Sequence, residues 1–97
     1  MRVLSFGAFR DFWEKEHRSE NVLRDCYKKL NKSNTRNLAE LKQQFPAVDL
    51  VGKCYVFNVG GNKYRVIVRI HFNRQMAFIR YVLTHSEYDK GNWKVDC

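Results

Sequence analysis

His85 is the side chain best suited to proton transfer, because imidazole titrates near neutral pH and serves as either acid or base. It begins the run His85-Ser86-Glu87-Tyr88-Asp89-Lys90 just past an apolar stretch, where side chains can face a site instead of filling a core. In the same run Tyr88 can stack on a base or donate a proton, and Lys90, or Lys94 beyond it, can neutralise phosphate. Upstream, Arg65 and Arg69 share parity in an alternating segment and so project to one side, where two guanidinium forks could grip phosphates. These residue types suit cleavage of RNA. The 2′-hydroxyl is RNA's own nucleophile, so a protein need only move protons, place cations against the charge developing on phosphorus and hold a base.

The His85 run also reads as a capping segment, with Thr84 or Ser86 starting a last helical turn, Glu87 paired to a basic neighbour and Tyr88 packed on the sheet. Other chemistries fit less well. His17, His71 and His85 have no H-x-x-x-H or H-E-x-x-H spacing and no nearby cysteine pair, so neither a metal nor another cofactor is expected. There is no P-loop, and Gly60-Gly61 suits a hairpin turn better than a phosphate cradle. A nucleophilic pair such as Cys54 with His85 stays open, although a buried inert cysteine is the commoner case.

Charge points the same way as the candidate residues. Eighteen Lys and Arg against ten Asp and Glu give a formal net charge of +8, which favours a polyanionic partner. Between Leu50 and Ser86 there is no acidic residue, yet Lys53, Lys63, Arg65, Arg69, Arg74 and Arg80 all fall there. The positive field is therefore concentrated on one part of the chain, which argues for nucleic acid over a merely solvated basic surface.

The elements that must position these residues follow from periodicity. Arg2 to Leu4 reads as a short strand and Ser5 as the N-cap of a helix that buries Phe6, Phe9, Trp13 and His17. Ser19 is placed to cap a second helix with Val22, Leu23, Cys26, Tyr27 and Leu30 inward. Thr35 is placed to cap a third, running through Gln44 with Leu38, Leu41 and Phe45 on one side and Pro46 as its stop. After Gly52 the pattern turns strand-like. Lys53 to Val59 and Lys63 to Phe72 flank a Gly60-Gly61-Asn62 turn, and Met76 to Thr84 follows a turn at Asn73-Arg74-Gln75.

Parity then sorts the faces. Tyr64, Val66, Val68, Ile70 and Phe72 form an apolar face; Lys63, Arg65, Ile67, Arg69 and His71 form a cationic one. A two-residue loop would add Tyr55, Phe57 and Val59 to the first and Val56 and Asn58 to the second. An even second turn would bring Phe78, Arg80 and Thr84 to the cationic side; an odd one would not. The expected architecture is α+β, with helices on one face of an antiparallel meander and the cationic face left open as a groove for RNA.

Ninety-seven residues with 44% hydrophobic content support a single domain over 1–97, without linker or repeat. The odd set Cys26, Cys54 and Cys97, lacking CxxC spacing, fits reduced thiols. With no apolar leader or membrane-length run, a cytoplasmic protein without membrane contact is expected.

Three stretches in order, Val56-Phe57-Asn58-Val59-Gly60-Gly61-Asn62-Lys63-Tyr64-Arg65, Phe78-Ile79-Arg80-Tyr81-Val82 and Thr84-His85-Ser86-Glu87-Tyr88-Asp89, resemble the HigB-type toxins of bacterial toxin–antitoxin pairs. Arg10-Asp11-Phe12-Trp13 and Leu41-Lys42-Gln43-Gln44-Phe45-Pro46 extend the resemblance over essentially the whole chain. The resemblance implies a RelE-like fold, endonucleolytic cleavage of messenger RNA, often on the ribosome, and neutralisation by a HigA-type helix-turn-helix antitoxin. It places Arg65 at a phosphate-binding position after the Gly-Gly-Asn turn. His85 falls near a second catalytic position, and Tyr88 or Lys90 in the C-terminal region that supplies an aromatic or basic group. The set expected to act is thus His85, Arg65, Tyr88 and Lys90, with Lys53, Asn58, Lys63, Arg69 and Arg80 binding RNA. The reading from another class is a non-catalytic RNA- or ribosome-binding module using the same basic face.

Overall fold

The structure, a computed structural model, describes residues 1–97. Strand β1 (Arg2–Leu4) is followed by helix α1 (Gly7–Lys15), a 3-10 turn at His17–Ser19, α2 (Glu20–Lys32) and α3 (Leu38–Gln44). The strands β2 (Asp49–Val51), β3 (Cys54–Val59), β4 (Tyr64–His71) and β5 (Met76–Thr84) come next, then α4 (His85–Lys90) and a last 3-10 turn at Asn92–Asp96. No helix is long and apolar enough to cross a membrane.

The helices form largely where their apolar periodicity puts them, but α1 ends at Lys15, so His17, expected on its buried stripe, lies exposed in the 3-10 turn, and none of the three expected residues caps its helix through its side chain. Ser5 sits in the left-handed region, so α1 starts at Gly7 with Phe6 already helical and no side-chain cap. Ser19 is buried and turns backward, its hydroxyl donating to the Glu16 carbonyl at 2.6 Å. At α3 the cap is Asn37, whose side-chain oxygen accepts from the Glu40 N–H at 2.9 Å; Thr35 contacts the Ser33 hydroxyl instead. Several small polar residues precede each helix, and spacing alone does not choose among them.

The five strands make one mixed sheet in the order β1-β5-β4-β3-β2. The β2–β5 run is an antiparallel meander, while β1 adds parallel to β5, pairing Arg2 with Met76 and Leu4 with Phe78. Short edge strands like β1 and β2 carry little direction signal, which is why pattern alone missed the parallel pairing and β2. Between β3 and β4 the loop spans Gly60–Lys63, four residues instead of two, with positive φ at Gly60, Gly61 and Asn62. Both lengths are even, so the faces come out as the alternation implied.

The β4–β5 register contains the decisive irregularity. Phe78 pairs with Arg69, but Ile67 pairs with Tyr81 while its neighbour Val68 pairs with Ile79, leaving Arg80 bulged out. Parity flips there, so Phe78, Tyr81 and Leu83 share the cationic side and Thr84 falls on the helix side.

The helices cover the first face. Phe9, Trp13, Leu23, Cys26, Leu30 and Leu41 join Phe57, Val66, Val68, Ala77 and Ile79 in the main core. The second face, expected to lie open, is partly covered. Chain beyond β5 folds back so that buried Trp93 packs with Cys54, Val56 and Ile67, with Tyr81, Leu83, Tyr88 and Cys97 around them. A disulfide joins Cys54 to Cys97, correcting the expectation of three reduced thiols. Only Cys26 is free, and burial pushes its thiol up to about 12. Apolar Val56 and Ile67, set among the arginines, would otherwise face water, and the hook buries them.

Candidate active site

At the Gly60–Lys63 end of the sheet, α4 is held against the β3–β4 hairpin. The His85 N–H donates to the Lys63 carbonyl at 3.0 Å, and Asn58 and Arg65 are directly paired across the strands. Thr84 caps α4, accepting from the Glu87 N–H at 3.2 Å, while the Glu87 carboxylate accepts from the Thr84 N–H at 2.9 Å. The capping reading is therefore correct for Thr84, while Glu87 completes the cap through the Thr84 N–H and not by pairing with a basic neighbour. It leaves His85 as the first helical residue with its side chain 54% exposed and Nδ1 2.8 Å from Asp89 Oδ2. Lys63, Asn58 and Lys90 are exposed near or on these elements.

Arg65 is not the exposed group that parity suggested. It is only 8% exposed, and its Nη1 donates to the carbonyls of Asn62 at 2.9 Å and Tyr64 at 3.2 Å. Its guanidinium lies 5.1 Å from the centre of the Tyr88 ring. Tyr88 in turn stacks on Trp93, centroids 5.0 Å apart and planes 15° from parallel, and Trp93 Nε1 donates to the Tyr88 carbonyl at 2.9 Å. Lys94 follows, with Nζ 5.8 Å from the centre of the Trp93 ring. Arg65, Tyr88, Trp93 and Lys94 are thus linked in series. Tyr88 lies between Arg65 and Trp93 and remains partly exposed.

The other basic candidates lie elsewhere. Arg69 is four residues from Arg65 along β4, about 13 Å at the usual strand rise of roughly 3.3 Å per residue. Its neighbours are Phe78 across the ladder and His71, whose ring meets Phe78 edge-on. Arg80, on the bulge, is exposed and lies 3.5 Å from Asp96. The Tyr81 hydroxyl also donates to Asp96, and this bond to a carboxylate holds the phenol above its usual range. Lys53 sits at the β2–β3 turn, its N–H donating to the Cys97 carbonyl at 2.8 Å. The hook therefore separates one cationic group, with His85, from another around Arg69 and His71.

Sequence reading missed Trp93, Asp89 and the Cys54–Cys97 bond. The i, i+4 spacing of His85 and Asp89 on a helix was the available signal for one contact. The disulfide removes Cys54 as a nucleophile. No three His, Cys, Asp or Glu side chains converge in a way that could hold a metal ion.

A family model described as HigB_toxin, the RelE-like toxic component of a toxin–antitoxin system, matches residues 19–91. The chain belongs to the HigB family of toxins. It is 36% identical over 92 residues to the mRNA interferase toxin HigB of Escherichia coli K12, covering 92% of this chain and 88% of that protein. It is similar at the same level to the mRNA interferase HigB of Shigella flexneri. A HigB from Escherichia coli O6:H1 is 30% identical over 93 residues, covering 93% of this chain and 90% of the relative. The HigB match takes in β3, the hairpin, β4, β5 and α4, and so His85, Arg65 and Tyr88, and stops short of Trp93 and Lys94.

Proposed function

We propose that this HigB-family chain is an endoribonuclease that cleaves messenger RNA in the cytoplasm, on the ribosome, and is silenced by a HigA-type helix-turn-helix antitoxin. The observation that supports the reading is the backbone bond from His85 to Lys63, which ties the start of α4, with its solvent-facing imidazole, to the hairpin that leads into Arg65. Base-assisted removal of the 2′-hydroxyl proton lets O2′ attack phosphorus. The O2′–P bond forms, the P–O5′ bond breaks, and the departing O5′ takes a proton from an acid. The products are a 2′,3′-cyclic phosphate and a 5′-hydroxyl, with no metal in the chemical step. Arg65 and Lys63 offset charge on the phosphoryl oxygens. His85 moves a proton, Tyr88 orients Arg65, and Lys90, with Asn58 beyond it, binds RNA alongside. Arg69 and Lys53 extend the phosphate track past the hook.

The net charge of +8 suits both the RNA and an acidic antitoxin segment. The test is expression of wild type and His85→Ala without antitoxin, mapping RNA ends in cells. Wild type is expected to cut translated messages leaving cyclic or 3′-phosphate ends, and His85→Ala to cut roughly 100-fold or more slowly. Intact messages in arrested cells would replace the nuclease with a ribosome-binding module, and 3′-hydroxyl ends would replace 2′-hydroxyl attack with activated water.

A further inference from the structure

Asp89 has no assigned part in the chemistry, yet its carboxylate sits on one specific nitrogen of His85. Nδ1 of His85 lies 2.8 Å from Asp89 Oδ2, one helical turn apart on α4. The two are fixed in that relation by a short helix whose start is locked by the Thr84–Glu87 capping box and whose first N–H is tied to the hairpin through Lys63. Both side chains are more than half exposed, so the pair contributes little to the core. A carboxylate accepts only, so a neutral imidazole beside it carries its proton on Nδ1 and leaves the Nε2 lone pair free. Free histidine in water prefers the opposite arrangement.

We propose that Asp89 is a positioning residue: it holds His85 as the Nδ1–H tautomer, so that Nε2 is the atom presented to RNA. This rests on the proton-transfer role given to His85 above. When Nε2 takes the 2′-hydroxyl proton, the imidazolium has both nitrogens protonated, and Asp89 stabilises the new positive charge through the Nδ1–H bond without itself taking the proton. Asp89 makes no ion pair with any lysine or arginine, so its carboxylate is left to His85. Loss of a group that orients a reacting histidine costs about 10- to 100-fold where such partners have been removed in metal sites, and a similar loss is expected here.

The test uses the full-length protein in two readouts. Long-range proton–nitrogen correlation spectra of protein labelled at histidine nitrogens, in mildly alkaline solution and without RNA, report the tautomer; His85→Ala identifies the His85 signals among the three histidines. Wild type is expected to show Nδ1–H, Asp89→Asn to keep it through the amide oxygen, and Asp89→Ala to move toward Nε2–H. In cleavage assays Asp89→Ala is expected to lose about 10-fold or more, Asp89→Asn less, and Asp89→Ala nothing further in a His85→Ala background. An unchanged tautomer in Asp89→Ala, or an equal loss with and without His85, overturns the proposal. Wild-type cleavage by His85→Ala would instead remove His85 from the chemistry and the catalytic consequence of Asp89 with it, while the spectra would still decide the geometry.

Discussion

On the helix side of the sheet, Phe9, Leu23, Leu30 and Leu41 interlock with Phe57, Val66 and Val68, contributed by elements spread from α1 to β4. On the other side, Trp93 alone fills the centre over Cys54, Val56 and Ile67, and one covalent bond from Cys97 holds the last residues down. The first face is stabilised by apolar area shared among many buried side chains. The second has a cluster of only four buried residues, to which cation–π contacts, the Asp96 contacts and the disulfide are added. What the contrast teaches is that the face kept for chemistry stays polar enough to bind an anion. Its order therefore depends on the C-terminal hook and not on a broad core.

The largest expected effects compare the two faces directly. Phe9→Ala opens a cavity in the main core and should cost about 3–5 kcal/mol whatever the redox conditions. Cys97→Ser frees a loop closed between residues 43 apart, and loop-closure entropy puts its cost at about 4 kcal/mol. Chemical denaturation with and without a thiol reductant checks both. Reductant should destabilise wild type to the level of Cys97→Ser and leave that variant unmoved. Reductant without effect on wild type would mean that the hook is held by packing alone.

A middle-sized effect separates the two arginines. Arg65→Ala strips two charge-assisted hydrogen bonds and the Tyr88 contact from a buried site, and should cost about 1–3 kcal/mol. Arg69→Ala, half-buried and without an ion pair, should fall within about 0.5 kcal/mol. Thermal melts of the two variants measure the difference. Equal stability would show that Arg65 is free, as alternation by itself implied.

The smallest effect near neutral pH belongs to Cys26. Its folded-state thiol is pushed up to about 12 from 9.0 by burial against the helix-side core. The native state therefore keeps a proton that the unfolded chain loses. The contribution to stability is fully present below about pH 9 and disappears as pH rises toward 12. Native Cys26 should resist alkylation at neutral pH, and stability measured across the alkaline range should fall less steeply in Cys26→Ala. Rapid native alkylation would place Cys26 outside the core.

Much of this was legible in the chain. Apolar spacing placed three helices and three long strands, the Gly-Gly-Asn turn marked the hairpin, and alternation along β4 put Arg65 and Arg69 on one side because successive strand residues must oppose each other. The acid-free stretch from Leu50 to Ser86 and the His85 run marked the region in which the cluster lies. Only the tertiary structure decided how those groups meet. The bulge at Arg80 reversed a parity that counting residues carried through unbroken, and the return of the last residues paired Cys97 with Cys54 and stacked Trp93 on Tyr88. That return buried Arg65 and left His85 outside. A local pattern fixes which way a side chain leaves its own strand, but what covers it comes from residues distant in sequence, and periodicity carries no information about them.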